Sequence, residues 1–169
     1  MYNHKQNNSK YDKEGIAALL PVYTDGIGDT TEVIENEGKR RIIDQKINSV
    51  IKHLLDHFST DIASILEKYG DSITRKNKLP LPLSHDLILF PFKVRRPEVS
   101  GDPTYGYVNY KCIESYCSSG KHSKLILKNG VEIPLTQSLA TTEHHIVSAK
   151  LLEKVMELQR YRKLLELEE

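Results

Sequence analysis

The chain has 169 residues, 38% of them apolar and 28% charged, with a formal net charge of +1. That length supports one medium domain with a real core, and the composition is too apolar for a disordered chain. The longest apolar run, Ile16 to Leu20 before Pro21, is far short of the roughly 20 residues a bilayer helix needs.

Charge is unevenly spread. Residues 1–71 carry 9 Lys and Arg against 12 Asp and Glu, residues 72–128 carry 10 against 4, and residues 129–169 carry 5 against 7. The middle of the chain is a basic island where a polyanion can dock.

Residues 1–14 are Asn- and Lys-rich, which predicts a flexible N-terminus before a single domain over 15–169. Met1 to Lys13 lacks the apolar stretch of a secretion signal, so a cytoplasmic location is expected. Residues 15–23 read as a buried strand, Thr31 to Glu35 completes a hairpin across the Asp25-Gly26 turn, and Lys39 to Ile43 pairs as a third strand.

The period then changes. Ile47, Val50, Ile51, Leu54, Leu55 and Phe58 recur at three- and four-residue steps, as one face of a helix requires. Ser59 or Thr60 is expected to cap a second helix holding Ile62, Ile65, Leu66 and Tyr69, with Gly70 stopping it in a left-handed conformation. Residues 71–86, with Pro80 and Pro82, read as a polar connection without a ladder. Leu87 to Phe90 reads as a buried strand closed by Pro91, and 95–104 as a loop.

Tyr105 to Tyr116 has strand composition and turns at Ser118-Ser119-Gly120. Lys124 to Lys128 and Val131 to Leu135 flank Asn129-Gly130, whose positive φ angles suit a tight hairpin. After Ser138, an N-cap, the chain reads as helix to about residue 167. Ile146, Ala149, Leu152, Val155 and Met156 form one apolar stripe; Leu151, Val155, Leu158 and Leu165 form another, interrupted by Arg162. The first packs on the chain's own sheet, and the second offers self-association through the C-terminal helix. The fold class expected is α+β, a small antiparallel β-sheet with packed helices and a long C-terminal helix.

Candidate chemistry is sparse. Cys112, Cys117, His122, His144 and His145 invite a zinc reading, but four residues between the cysteines is the outer limit of a zinc knuckle and there is no second Cys pair, so the two read as reduced thiols. His144 and His145 are neighbours on a helix, so both cannot face one ion. The pattern predicts no metal and no cofactor, with the histidines on the surface. His53 and His57 share a helical face, but Leu54, Leu55 and Asp56 between them lack the Glu of a metalloprotease helix. No phosphate-binding glycine loop or nucleophile elbow is present, so an enzyme is not expected.

The basic island remains. Arg75, Lys76 and Lys78 lie on one side of the strand 87–92 and Lys93, Arg95 and Arg96 on the other, so the six are expected at one end of a sheet. Arg95 and Arg96 occupy a loop on which no core packing should depend. Arginines on such a loop suit a narrow, AT-rich minor groove.

A run of colinear elements then resembles a known family. These are Lys78 and Pro80, Leu89-Phe90-Pro91, Arg96-Pro97, Gly106-Tyr107-Val108, Lys128-Asn129-Gly130, Glu132-Ile133-Pro134-Leu135, and a terminal helix through Ala149. From about Ile47 to Val155 the chain is similar to the bacterial competence transcription factor ComK family. The resemblance implies a transcriptional activator that binds AT-rich double-stranded promoter DNA as more than one protomer. Tyr107 stands where the family has Trp, and Val50 to Leu55 replaces a segment bearing Arg and Cys. The C-terminus lacks the family's aromatic-Pro tail, so adaptor-led degradation is not implied. Ile113-Glu114, Lys128-Asn129-Gly130 and Ser138-Leu139 also resemble LytTR DNA-binding domains. The alternative is a protein-interaction module that keeps the fold without DNA binding.

Overall fold

The computed structural model describes residues 11–73 and 78–168. It has an α+β architecture in three layers. The middle layer is a six-stranded antiparallel sheet built from β1 (Ile16–Thr24), β2 (Gly28–Glu35), β3 (Arg40–Ile43), β4 (Leu81–Ser84), β5 (Leu87–Lys93) and β6 (Tyr105–Asn109). Its order is β3-β2-β1-β6-β5-β4. Two meanders, β1-β2-β3 and β4-β5-β6, thus meet where Ala18 lies opposite Val108 and Leu19 opposite Tyr107.

Both faces of this sheet are covered, which explains why β5 is buried at six consecutive positions instead of alternating. On one face α1 (Ile47–His57) and α2 (Ile62–Tyr69) place Ile47, Val50, Leu54 and Ile65 against Ile16, Leu19, Val33, Leu87 and Leu89. On the other, Ala17, Ala18, Ile34, Phe90, Phe92 and Val108 meet a second sheet. That sheet comprises β7 (Ile113–Ser119), β8 (His122–Leu127) and β9 (Glu132–Leu135). It contributes Leu125, Leu127, Ile133 and Leu135. The 30-residue helix α3 (Leu139–Glu168) packs beside it through Ala149 and Leu152.

Several expectations change. There are two sheets where one was expected, because Tyr105 to Tyr116 is not one strand: a 3-10 turn at Tyr110–Cys112 separates β6 from β7. Asn109 enforces the break. Its Oδ1 accepts from the amides of Ile88 and Lys111, and its Nδ2 donates to the carbonyls of Ile16 and Asp86.

Pro91 does not close β5, which runs on to Lys93 with Pro91 opposite Tyr107. The ladder with β4 ends at Leu89, before Pro91, so the missing N–H breaks no bond on that side. Likewise the connection 71–86 contains β4, whose Pro82 is tolerated on an edge strand.

The α2 cap is Asp61 and not Ser59 or Thr60; its carboxylate accepts from the Ser64 amide at 2.7 Å. Gly70 stays right-handed and leads into a short 3-10 turn at Gly70–Ser72. In the β8–β9 hairpin only Gly130 takes a positive φ.

Ser138 caps α3 as expected, accepting from the Thr141 amide. Residues 1–10 of the expected flexible segment lie outside the described residues, while Tyr11 packs against the helix-covered core. No helix among the described residues is long and apolar enough to cross a membrane.

Candidate nucleic-acid interface

At the end of the six-stranded sheet where β5 stops, Lys93 is the register partner of Tyr105 at the start of β6. Directly opposed residues of an antiparallel pair point to the same face. Lys78, arriving from the chain segment before β4, places its Nζ 5.7 Å from the centroid of the Tyr105 ring. Two cations 15 positions apart therefore converge on one tyrosine, an arrangement in which the ring face attracts the ammonium.

Lys93 is held from behind. Its amide donates to Gln137 Oε1 at 2.9 Å, and its carbonyl accepts from the Thr136 amide at 2.8 Å. Gln137 belongs to a buried polar group that the sequence reading missed. Its Nε2 lies 3.0 Å from Thr142 Oγ1 and 3.1 Å from His145 Nδ1, and Ser123 Oγ bridges the Gln137 carbonyl and Thr142 Oγ1. His145 is inside, against the Phe90 and Phe92 rings, and not on the surface as expected. The signal was present. Ser123 occupies an inward position alternating with Leu125 and Leu127. Thr142, His145, Ala149 and Leu152 follow one helical face.

The loop between β5 and β6 carries the arginines. Arg95 donates from Nε to the Pro103 carbonyl at 2.6 Å and from Nη2 to Asp29 Oδ1 at 2.8 Å. Both partners of that ion pair are mostly buried. This corrects the expectation that Arg95 is structurally dispensable: its charge is spent on the carboxylate at the start of β2. Arg96, next to it, is exposed and makes no hydrogen bond or ion pair with a described residue. The loop tip is ordered by Asp102, whose carboxylate accepts from the amides of Glu98 and Val99.

Arg75 and Lys76 lie outside the described residues. Of the remaining four candidates, Lys78 and Lys93 come together, Arg96 flanks them on the adjoining loop, and Arg95 is withdrawn into an internal pair. Tyr23, the register partner of Asp29, adds an exposed aromatic ring at the same end of the sheet.

The cysteines do not meet there. Cys112 sits in the 3-10 turn, where burial pushes its thiol up from the usual range and Sγ contacts Asn36 Oδ1. Cys117 lies on β7 opposite Lys124. Among the described residues no three His, Cys, Asp or Glu side chains are grouped to hold a metal ion. No protein family, curated protein or solved structure matches the chain.

Proposed function

We propose that the chain is a cytoplasmic DNA-binding transcriptional regulator of the ComK type that acts on AT-rich promoter duplex by binding and not by catalysis. The observation that carries this reading is the convergence of Lys78 and Lys93 on Tyr105 beside the exposed Arg96. Cations spaced along a sheet end suit consecutive phosphates, and an arginine on the adjoining loop suits a narrow minor groove, which AT-rich sequence makes strongly negative. Arg95 serves the site from inside, as the brace that holds the loop against β2.

The test is an electrophoretic shift with AT-rich and GC-rich duplexes at two salt concentrations. Preferential AT-rich binding is expected, with log K falling against log salt at a slope of about −4 to −5 if Arg75 and Lys76 join the other three cations. Absence of binding at low salt overturns the reading. It would favour a protein-interaction module, which the exposed apolar side chains of α3 suit.

A further inference from the structure

We propose that α3 pairs with the α3 of a second copy as a parallel two-stranded coiled coil, through a face its own domain leaves uncovered. This inference does not depend on DNA binding.

The helix buries Thr142, His145, Ala149 and Leu152. At 100° per residue these fall on one side of the cylinder. Val147, Leu151, Leu158, Tyr161 and Leu165 fall on the opposite side and are 53–66% exposed. Together with two charged positions, Lys154 and Glu168, they recur at alternating four- and three-residue steps from 147 to 168, with leucine at every seventh residue over 151, 158 and 165. A strict seven-residue apolar repeat is the signature of a left-handed coiled-coil partner, whereas a stripe meant for a globular surface follows the 3.6-residue period and drifts around the helix. Arg162 lies beside this seam and Tyr161 fills it, so the interruption expected from sequence disappears.

The flanks identify the partner as a second copy. With Leu151, Leu158 and Leu165 at the a positions, Glu157 takes a g position and Arg162 the following e position. In a parallel pair these are the residues that meet across the interface, so each chain's Glu157 faces the partner's Arg162, twice by symmetry. Lys154 is the one cation in the seam. It is already bound to Glu157 Oε2 of its own chain at 3.1 Å, which leads its charge out of the seam.

The test is sedimentation equilibrium of the full chain over a concentration series. A mass of two chains is expected for the native sequence, and a single-chain mass at every concentration overturns the proposal. Leu158→Lys should yield single chains with an unchanged circular dichroism spectrum, since Leu158 is exposed in the single chain. Leu167→Lys, which removes an apolar side chain 83% exposed but off the seam, should leave the two-chain mass intact. If Leu158→Lys remains paired, or Leu167→Lys dissociates equally, the seam is wrong. Arg162→Glu should weaken pairing roughly fivefold, a gap that narrows in high salt, because two attractive contacts become repulsive. No change with Arg162→Glu overturns the parallel arrangement.

Discussion

Arg95 and Asp29, 66 positions apart in sequence, meet at 2.8 Å and fasten the loop after β5 to the first residues of β2. The arginine also caps the Pro103 carbonyl, so one side chain ties three segments. Arg95→Gln should therefore lower stability by about 1–3 kcal/mol, because Asp29 is left largely buried without its countercharge. A thermal melt checks this; the native midpoint in the variant would show that the pair is decorative. Asp29→Asn should be milder, since the amide oxygen still accepts.

Lys93 and Arg96 should behave in the opposite way. The side chains of Lys93 and Arg96 make no ion pair or hydrogen bond with a described residue, and the bond to Gln137 comes from the Lys93 backbone, so in Lys93→Glu with Arg96→Glu folding should hold while affinity for AT-rich duplex falls more than tenfold, each lost phosphate contact being worth roughly 1–3 kcal/mol. The comparison is Lys150→Glu on the exposed face of α3, which should bind nearly as the native chain does. If that substitution costs as much as the loop pair, the site has been placed at the wrong end of the molecule.

Gly106 sits where β6 runs beside β1 in the six-stranded sheet. A β-carbon there would lie 2.9 Å from both the Leu19 carbonyl oxygen and Leu20 Cδ2, and 3.3 Å from Val94 Cγ1. The carbonyl is part of the sheet and cannot step aside, so Gly106→Ala should cost about 1–3 kcal/mol through strand displacement. Chemical denaturation with an unchanged midpoint would disprove the close approach.

Gln137→Leu should be damaging despite its similar size. It removes the acceptor for the Lys93 amide and the donor that lies between Thr142 and His145. Leaving buried polar groups unsatisfied costs about 1–3 kcal/mol each. Amide exchange at Lys93 should also quicken, a local readout that separates loss of this anchor from general destabilisation.

The Asp61 cap gives a pH dependence. Hydrogen bonds from the Ser64 amide, then its hydroxyl, hold the carboxyl below its ordinary value of 3.8. A group lowered on folding stabilises fully above its unfolded pKa and loses that contribution as pH falls through the folded value. The start of α2 should thus loosen below about pH 4. The Ser64 amide resonance should report it, and Asp61→Asn should abolish the effect.

What the sequence disclosed depended on which signals were local. The Asn129-Gly130 hairpin, the Ser138 cap and the three-four spacing of Ile47 to Phe58 are properties of adjacent residues, and each appears in the structure. Pro91 misled because whether a proline breaks a strand depends on where the neighbouring strand ends, a fact of tertiary pairing. Tyr105 to Tyr116 misled because strand composition does not record the side-chain bonds of Asn109 that turn the chain. At the candidate site, Lys78 and Lys93 were legible as flanks of one strand. The commitment of Arg95 to Asp29 was not, since no spacing rule links residues so distant.

The narrow junction between the two meanders bears on how the chain reaches its native state. Within each meander every strand pairs with its neighbour in sequence, and such hairpins close short loops quickly. Joining them requires β1 to find β6 across about 90 residues, a closure whose entropy is lost before any reward arrives. Only two register pairs lie at that junction, together with the Asn109 contact to Ile16. The step that joins the two meanders is therefore expected to limit the folding rate, and substitutions at Ala18 or Val108 should slow folding more than those at hairpin turns.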